Sequence, residues 1–300
     1  VESWSDKTTQ KINSSTKVLG DYAIIEKNDA HYVIQKSSLE IMHPSASPDI
    51  EARTLYVVMT GLAERITELS DDLNDEIVVW DVGLGAAFNA IAVIREREAL
   101  SAEVSYRKLH IVSFENDLDS LRLSLEQKVL FAHLDHPAPA CILRDKQWEN
   151  KDKNIFWEVI EGDFFTTMFN AGKADFVLYD LFSPRSNVTN WGAALFSKLF
   201  GCTNRGCVFV TYSRATAVKS ALLAAGFHVG SLPGIPPKEE HVIAWNGAPK
   251  GKAAQQLLSK KFLVRWRMSH KRYPSDIATK EEIQAFSTKI ELHEQWVIAE

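Results

Sequence analysis

From Glu76 onward, short runs of consecutive apolar residues alternate with longer segments in which apolar positions recur every three or four residues. The runs "EIVVWDVG", "KLHIVSFEN", "IFWEVIEGD", "ADFVLYDLF", "GCVFVTYS" and "EEHVIAWN" read as strands. The segments "AAFNAIAVIRE", "LDSLRLSLEQKVL", "WGAALFSKLFG" and "ATAVKSALLAAGF" read as helices, the last ended by Gly226. Strands that are apolar on both faces need cover on both faces, and the intervening helices supply it. The pattern therefore predicts a doubly wound α/β domain around a parallel sheet. Upstream, "YAIIE" and "HYVIQ" flank "KNDA" as a β-hairpin. "SPDIEARTLYVVMTGLAERITEL" reads as one helix, capped by Ser47 or Asp49, with Ile50, Leu55, Val58, Leu62 and Ile66 recurring at helical spacing. The expected organisation is a hairpin-and-helix addition at 1–75, a core at 76–248 and an extension at 249–300, after a polar, frayed start.

Composition changes this picture in one place. A chain of 300 residues with 45% hydrophobic and 24% charged content can bury a large core. Its net charge of −5 gives no global sign of a nucleic-acid binder. Between Pro249 and Pro274, however, stand eight Lys or Arg and no Asp or Glu, so that segment carries +8 and the rest −13. Such a contrast points to a polyanionic partner. Cys141, Cys202 and Cys207 lack His or Cys partners at ligand spacing, which excludes a disulfide framework and a zinc site; no metal is expected. No apolar run reaches membrane-spanning length, and "VESWSDKTTQ" is no signal peptide, so a cytoplasmic protein without membrane contact is expected.

In a doubly wound sheet, ligands bind beyond the carboxyl ends of the strands. Four strand ends carry candidate chemistry here. "DVGLGAA" places Asp81, Gly83 and Gly85 in a D-x-G-x-G turn, where missing side chains let backbone bend sharply and approach a ligand. "SFEN" ends in Glu115 and Asn116; an acid there can accept both ribose hydroxyls of a nucleoside. The alternative for Glu115 is a solvated acid at a strand end. "EGDFF" offers Asp163 to an adenine amino group and Phe164 to the ring beside it. Ala87 stands where a dinucleotide site has its third glycine, so the turn suits S-adenosyl-L-methionine, which has no pyrophosphate to cradle. The fourth end, "YDLFSPRSNVTNW", delivers Asp180 into a Phe-Ser-Pro turn.

That stretch resembles the D-x-F-x-P-x-x-N-x-x-x-W signature of the bacterial tRNA 5-methylaminomethyl-2-thiouridine methyltransferases, the MnmC family, through Asp180, Phe182, Pro184, Asn187 and Trp191. "DVGLGAAFNA" is similar to that family's glycine turn and sets Asn89 on its Asn. "HPSASPDIEARTLYV" resembles its H-x(7)-E-x-R stretch through His43, Glu51 and Arg53. "TYSRATAVKSALLAAGF" and "GIPPKEE" resemble a later strand–helix and a Gly-rich loop, the latter retaining Lys238. The similarity covers roughly residues 20–270. Three positions depart from the family pattern: Ala87, Leu181 beside Asp180, and the prolines and acids of "GIPPKEE". No segment matches the family's flavin-dependent oxidase half, so the resemblance is to the stand-alone methyltransferase form.

The resemblance implies a Rossmann-like class I methyltransferase sheet that takes a methyl group from S-adenosylmethionine to the amine of 5-aminomethyl(-2-thio)uridine at the tRNA wobble position. It implies Glu51 and Asn89 at the cofactor, with Asp81, Gly83, Gly85, Glu115, Asn116, Asp163 and Phe164. An amine attacks only when unprotonated, and Asp180 is the group assigned to take its proton. The alternative is an Asp180 that caps backbone amides of its own turn. Phe182, Pro184, Asn187, Trp191 and Lys238 are expected at the substrate, with Lys260, Lys261, Arg265 and Arg267 of "KKFLVRWRMSHKRYP" on RNA phosphates. That segment also reads as an amphipathic helix whose Phe262, Leu263 and Trp266 simply pack on the domain. A transferase acting on a small amine, by methyl or aminopropyl transfer, and a non-catalytic tRNA- or adenosyl-binding module remain the alternatives. A separate oxidase is a possible partner.

Overall fold

The computed structural model describes residues 16–27, 30–44, 47–70, 72, 74–101, 103–236 and 238–298. The polar start, two residues of the expected hairpin turn (28 and 29) and Pro237 of "GIPPKEE" lie outside the described residues. β1 (Val18–Leu19), β2 (Tyr22–Lys27) and β3 (Ala30–Gln35) form a small antiparallel sheet in which Tyr22 faces Gln35 and Lys27 faces Ala30. Ala23, Ile25, Tyr32 and Ile34 fall on one face by the two-residue period and bury together. The expected hairpin is present.

The stretch read as one helix is broken. α1 (Pro48–Glu51) passes into a π-helical stretch (Ala52–Val58), and α2 (Leu62–Arg65) starts after Gly61. Gly61 has φ +78°, and Thr60 Oγ1 donates to the carbonyls of Tyr56 (3.0 Å) and Val57 (3.1 Å) while accepting the Leu62 N–H (3.2 Å). One hydroxyl thus ends the first helix and starts the second. Leu55, Leu62 and Ile66 are buried, but Ile50 is 63% and Val58 40% exposed, because the wider π turn shifts the face that a 3.6 spacing describes. Ser47 occupies the cap position without a capping side-chain bond; Pro48 starts the helix instead.

The remaining elements are β4 (Glu76–Val82), α3 (Phe88–Glu98), β5 (Lys108–Glu115), α4 (Asp119–Glu126), α5 (Pro137–Asp145), β6 (Gln147–Glu149), β7 (Ile155–Glu161), α6 (Phe164–Thr167) and β8 (Ala174–Tyr179). They continue with α7 (Ala193–Gly201), β9 (Thr203–Thr211), α8 (Thr216–Ala225), β10 (His228–Pro233), β11 (Glu240–Trp245), α9 (Lys260–Met268), α10 (Lys280–Glu291) and α11 (Gln295–Ile298). The main sheet has the order β10-β11-β9-β8-β4-β5-β7-β6. β5 pairs with β7 and β8 with β9 in parallel, whereas β6, β10 and β11 are antiparallel to their neighbours. The doubly wound α/β class holds, but the sheet is mostly rather than wholly parallel. β6 and β10 are strands that the apolar pattern did not announce.

The chain divides into two compact units, residues 1–76 with 81–163, and residues 77–80 with 164–300. In the first, α3 packs on the π-helical stretch and α4 on β2. In the second, α7 and α10 both pack on α8. The C-terminal segment is fastened to that second unit by buried polar groups. Gln295, 0% exposed, accepts the Val229 N–H (2.6 Å) and donates to the carbonyls of Val229 (2.9 Å) and Leu258 (2.8 Å). Asp276 accepts the N–H groups of Ala193 (3.1 Å) and Ala194 (2.9 Å), taking up donors that the first turn of α7 leaves open.

Candidate active site

The first unit carries the glycine turn. Gly83 and Gly85 have φ +92° and +51°, and the N–H of Gly83 reaches the Phe114 carbonyl at 3.0 Å. A Cβ on Gly85 would stand 3.2 Å from the Met42 sulfur, so only glycine leaves this approach open. Glu115, at the end of β5, accepts the Gly85 N–H at 2.9 Å and the Asn116 N–H at 2.8 Å. Burial pushes its carboxyl up to about 7, against the pull of those N–H groups. The turn and the acid, 32 residues apart in sequence, are therefore one constellation. Asp81 is fully buried behind them: Ser113 Oγ donates to it at 2.8 Å and itself accepts the Trp157 indole N–H at 2.8 Å. Glu51 and Asn89 are also buried, whereas Asn116 and Asp163 are exposed.

Three residues around this turn, Tyr22, Asp117 and His133, were not found by motif reading. Tyr22, from the hairpin, donates to Asp117 at 3.4 Å; burial, then the charges of Glu115 and Asp117, push its phenol well up. His133 stacks on Phe88 with ring centroids 3.6 Å apart, and its Nε2 lies 2.7 Å from the Ala86 carbonyl. A carbonyl only accepts, so that nitrogen carries the hydrogen, and burial holds the imidazole neutral with a pKa of about 4. The acid two residues past Glu115 in "ENDLD" is the one signal that motif reading could have used.

The second unit carries the Asp180 loop. β8 delivers Asp180, which is half-buried, directly after the fully buried Tyr179. The loop is tied by aromatic side chains. Trp191 Nε1 donates to the Phe182 carbonyl at 2.9 Å, Tyr212 OH donates to the Leu181 carbonyl at 2.9 Å, and Tyr179 OH donates to the Asn190 carbonyl. Trp191 is 2% exposed, so on its own unit it acts as a fastening. Phe182, Pro184 and Asn187 are half-buried. Lys238 places its ammonium 4.4 Å from the Tyr212 ring centroid, a cation–π contact. Tyr212 was missed as a site residue because a tyrosine after a strand has no motif of its own. Phe164 is buried against Trp80 and Tyr179, with centroids at 6.2 and 5.9 Å.

On α9 both readings of the basic segment meet. Phe262, Leu263 and Trp266 are buried, and Lys260, Lys261, Arg265 and Arg267 are exposed on the other face. Arg267 pairs with Glu291 at 3.0 Å, an acid of α10 outside the acid-free stretch. Among the described residues, no group of three or more His, Cys, Asp or Glu could hold a metal ion, and no helix is long and apolar enough to cross a membrane.

Sheet order, glycine turn and strand-end acid together define a class I methyltransferase fold, and residues 126–247 match a family described as S-adenosyl-L-methionine-dependent methyltransferase. The solved structure of MNMC2 from Aquifex aeolicus superposes with TM-score 0.64 at 19% identity, covering 93% of this chain and 84% of that one. A probable spermidine synthase from Corynebacterium glutamicum gives TM-score 0.54 at 13% identity, covering 90% and 98%. At such identities these likenesses speak for the fold. In sequence the chain is similar to the tRNA 5-methylaminomethyl-2-thiouridine biosynthesis bifunctional protein MnmC. With that of Actinobacillus pleuropneumoniae it shares 26% identity over 195 residues, 59% of this chain and 28% of that protein. With that of Aliivibrio fischeri it shares 23% over 235 residues, 73% and 34%. These relatives bear the name of the family that the motif stretch resembles. The chain spans about a third of the length of these relatives.

Proposed function

We propose that the chain methylates the amine of 5-aminomethyl(-2-thio)uridine at the wobble position of tRNA, with S-adenosylmethionine as donor. The observation that carries this reading is the D-x-F-x-P loop, which holds a half-buried carboxylate at a strand end directly before two tied carbonyls, those of Leu181 and Phe182. The cofactor supplies an electrophilic methyl group. On this reading Glu115 and the Gly83–Gly85 turn hold the adenosyl group, with Glu51, Asn89, Asn116 and Asp163 around it, whereas Phe164 is a core residue of the second unit. An amine attacking that methyl group would be left with a surplus proton on nitrogen, and Asp180 would take it. Fixing the loop backbone fixes the base, which lowers the cost of orienting it. Lys238 and the exposed cations of α9 supply the charge that tRNA phosphates require. An oxidase acting with this chain, and a cytoplasmic setting, belong to the same reading.

The test is methyl transfer by the purified protein to tRNA bearing 5-aminomethyluridine. Asp180→Asn keeps the shape and removes the base, so the rate should fall by roughly 10²–10⁴-fold while adenosylhomocysteine affinity changes much less. Raising the pH should restore part of the rate, because more of the amine is then already free. Transfer to a free diamine such as putrescine but not to tRNA would overturn the substrate assignment in favour of the small-amine alternative.

A further inference from the structure

A cavity lies in the first unit, at the end of α3 remote from the glycine turn. Arg97 stands nine residues along α3 from Phe88, about 14 Å at 1.5 Å per residue. The cavity measures about 470 Å³ and is lined by Arg97, His136, Trp148, Glu149, Lys151 and Asp152, among others. Arg97 is the unusual member. Its side chain is 3% exposed, its guanidinium lies over the Tyr106 ring at 4.9 Å, and its Nε has no acceptor. No carboxylate among the described residues pairs with it, and burial lowers its pKa. A buried Nε–H left without an acceptor is costly, and the cavity is the open space that Arg97 lines.

The rim carries the opposite sign. Glu98 is engaged by His136 at 3.3 Å, but Glu149 and Asp152 are exposed and pair with no base among the described residues. With Lys151 as the other cation, the ionised lining sums to −2 around the one buried positive group, Arg97. A free anion would be repelled by this rim, and a free cation by Arg97. A molecule carrying both charges meets each with its opposite. We propose that this cavity binds a small zwitterion of the α-amino-acid type, its carboxylate on Arg97 and its ammonium against Glu149 and Asp152. The side chain of that ligand lies along Trp148, whose indole packs edge-on against His136 at 5.3 Å. This site is independent of the methyl-transfer reading.

The experiment is calorimetric titration of each of the twenty L-amino acids into the whole chain saturated with adenosylhomocysteine, so that the cofactor's own amino-acid end is already bound. At least one should bind saturably. Arg97→Gln should weaken that ligand by at least tenfold, the loss expected of hydrogen bonds to a charged group, while adenosylhomocysteine affinity stays unchanged. Because a buried change can disturb folding, the exposed pair Glu149→Gln with Asp152→Asn provides a second test and should weaken binding similarly. The N-acetylated form of the same amino acid, which lacks the ammonium, should bind at least tenfold more weakly. The proposal fails if none of the twenty binds, if inorganic phosphate or the N-acetyl form binds equally well, or if a folded Arg97→Gln or the double variant binds as wild type does.

Discussion

Glu115 makes the cofactor assignment testable by pH alone. Its carboxylate already accepts two backbone N–H groups, at 2.9 and 2.8 Å, yet burial raises its pKa to about 7. A ribose that donates its hydroxyls to this carboxylate binds the ionised form preferentially. At pH 8 the free protein is mostly ionised at this group, and at pH 6 about nine-tenths protonated. Adenosylhomocysteine affinity should therefore fall about tenfold from pH 8 to pH 6, roughly 1.4 kcal/mol, with uptake of the missing charge seen as proton release on binding. Calorimetry at both pH values, in buffers of different ionisation enthalpy, reads both quantities. Glu115→Gln should bind more weakly and lose the pH dependence. The folding linkage has a definite sign as well. The folded pKa lies above the ordinary 4.5, so between about 4.5 and 7 the native state keeps a proton that the unfolded chain has released. The contribution of Glu115 to stability thus falls as pH rises through that window and stays low above it. Equal affinity at pH 6 and 8, or an unchanged pH profile in Glu115→Gln, would refute the assignment.

Two further outcomes test the second unit. Replacing Lys260, Lys261, Arg265 and Arg267 with Ser should reduce the salt slope of tRNA binding by about 2–3 units, four cations being removed but Arg267 already sharing its charge with Glu291 at 3.0 Å. An unchanged slope in binding measured across salt concentrations would make α9 a solvated face only. Gln295→Leu should destabilise the protein by about 2–4 kcal/mol in chemical denaturation, because it strands the Val229 N–H and the Leu258 carbonyl and leaves the Val229 carbonyl with the Leu258 N–H as its donor. A loss below about 0.5 kcal/mol would show that α11 does not hold the C-terminal segment in solution.

The strands that could be read from sequence are those that need cover on both faces, because their apolar runs are unbroken. β10 escaped notice because Gly230 interrupts it, and that glycine is required: a Cβ there would stand 2.6 Å from the Gln256 carbonyl. β6 is three residues long, too short for any period to register. α5 begins "PAPACILRD", and its two prolines look like helix breakers although they occupy a first turn whose N–H groups need no helical partner. The π-helical stretch has apolar spacing that a 3.6 period nearly fits, which is why it passed for ordinary helix. At the candidate site, motif reading found Gly85 and Glu115 separately. Their hydrogen bond could not be read, since it depends on how β5 sits in the sheet. Tyr22 and Tyr212 matter through contacts with distant chain, and Arg97 through a buried Nε–H without an acceptor, none of which residue spacing reveals.

The loop after β8 shows how aromatic residues in a motif can be misread when only their types are known. In "YDLFSPRSNVTNW" the rings look like surfaces for a nucleobase. Yet Trp191 is 2% exposed with its N–H bound to the Phe182 carbonyl, Tyr179 is fully buried with its hydroxyl on the Asn190 carbonyl, and Tyr212 reaches back to the Leu181 carbonyl. Each ring turns an apolar body into the core and uses one polar atom to satisfy a loop carbonyl, which a loop rich in turns would otherwise leave to water. The motif spacing is then a constraint on backbone shape: Trp191 must fall where its indole meets the carbonyl nine residues earlier. A substitution of Trp191 should accordingly loosen the whole loop, Asp180 with it, and its cost should show in the rate of methyl transfer more than in substrate affinity. By the same logic Phe182, Pro184 and Asn187, which are only half-buried, have surface to offer a substrate.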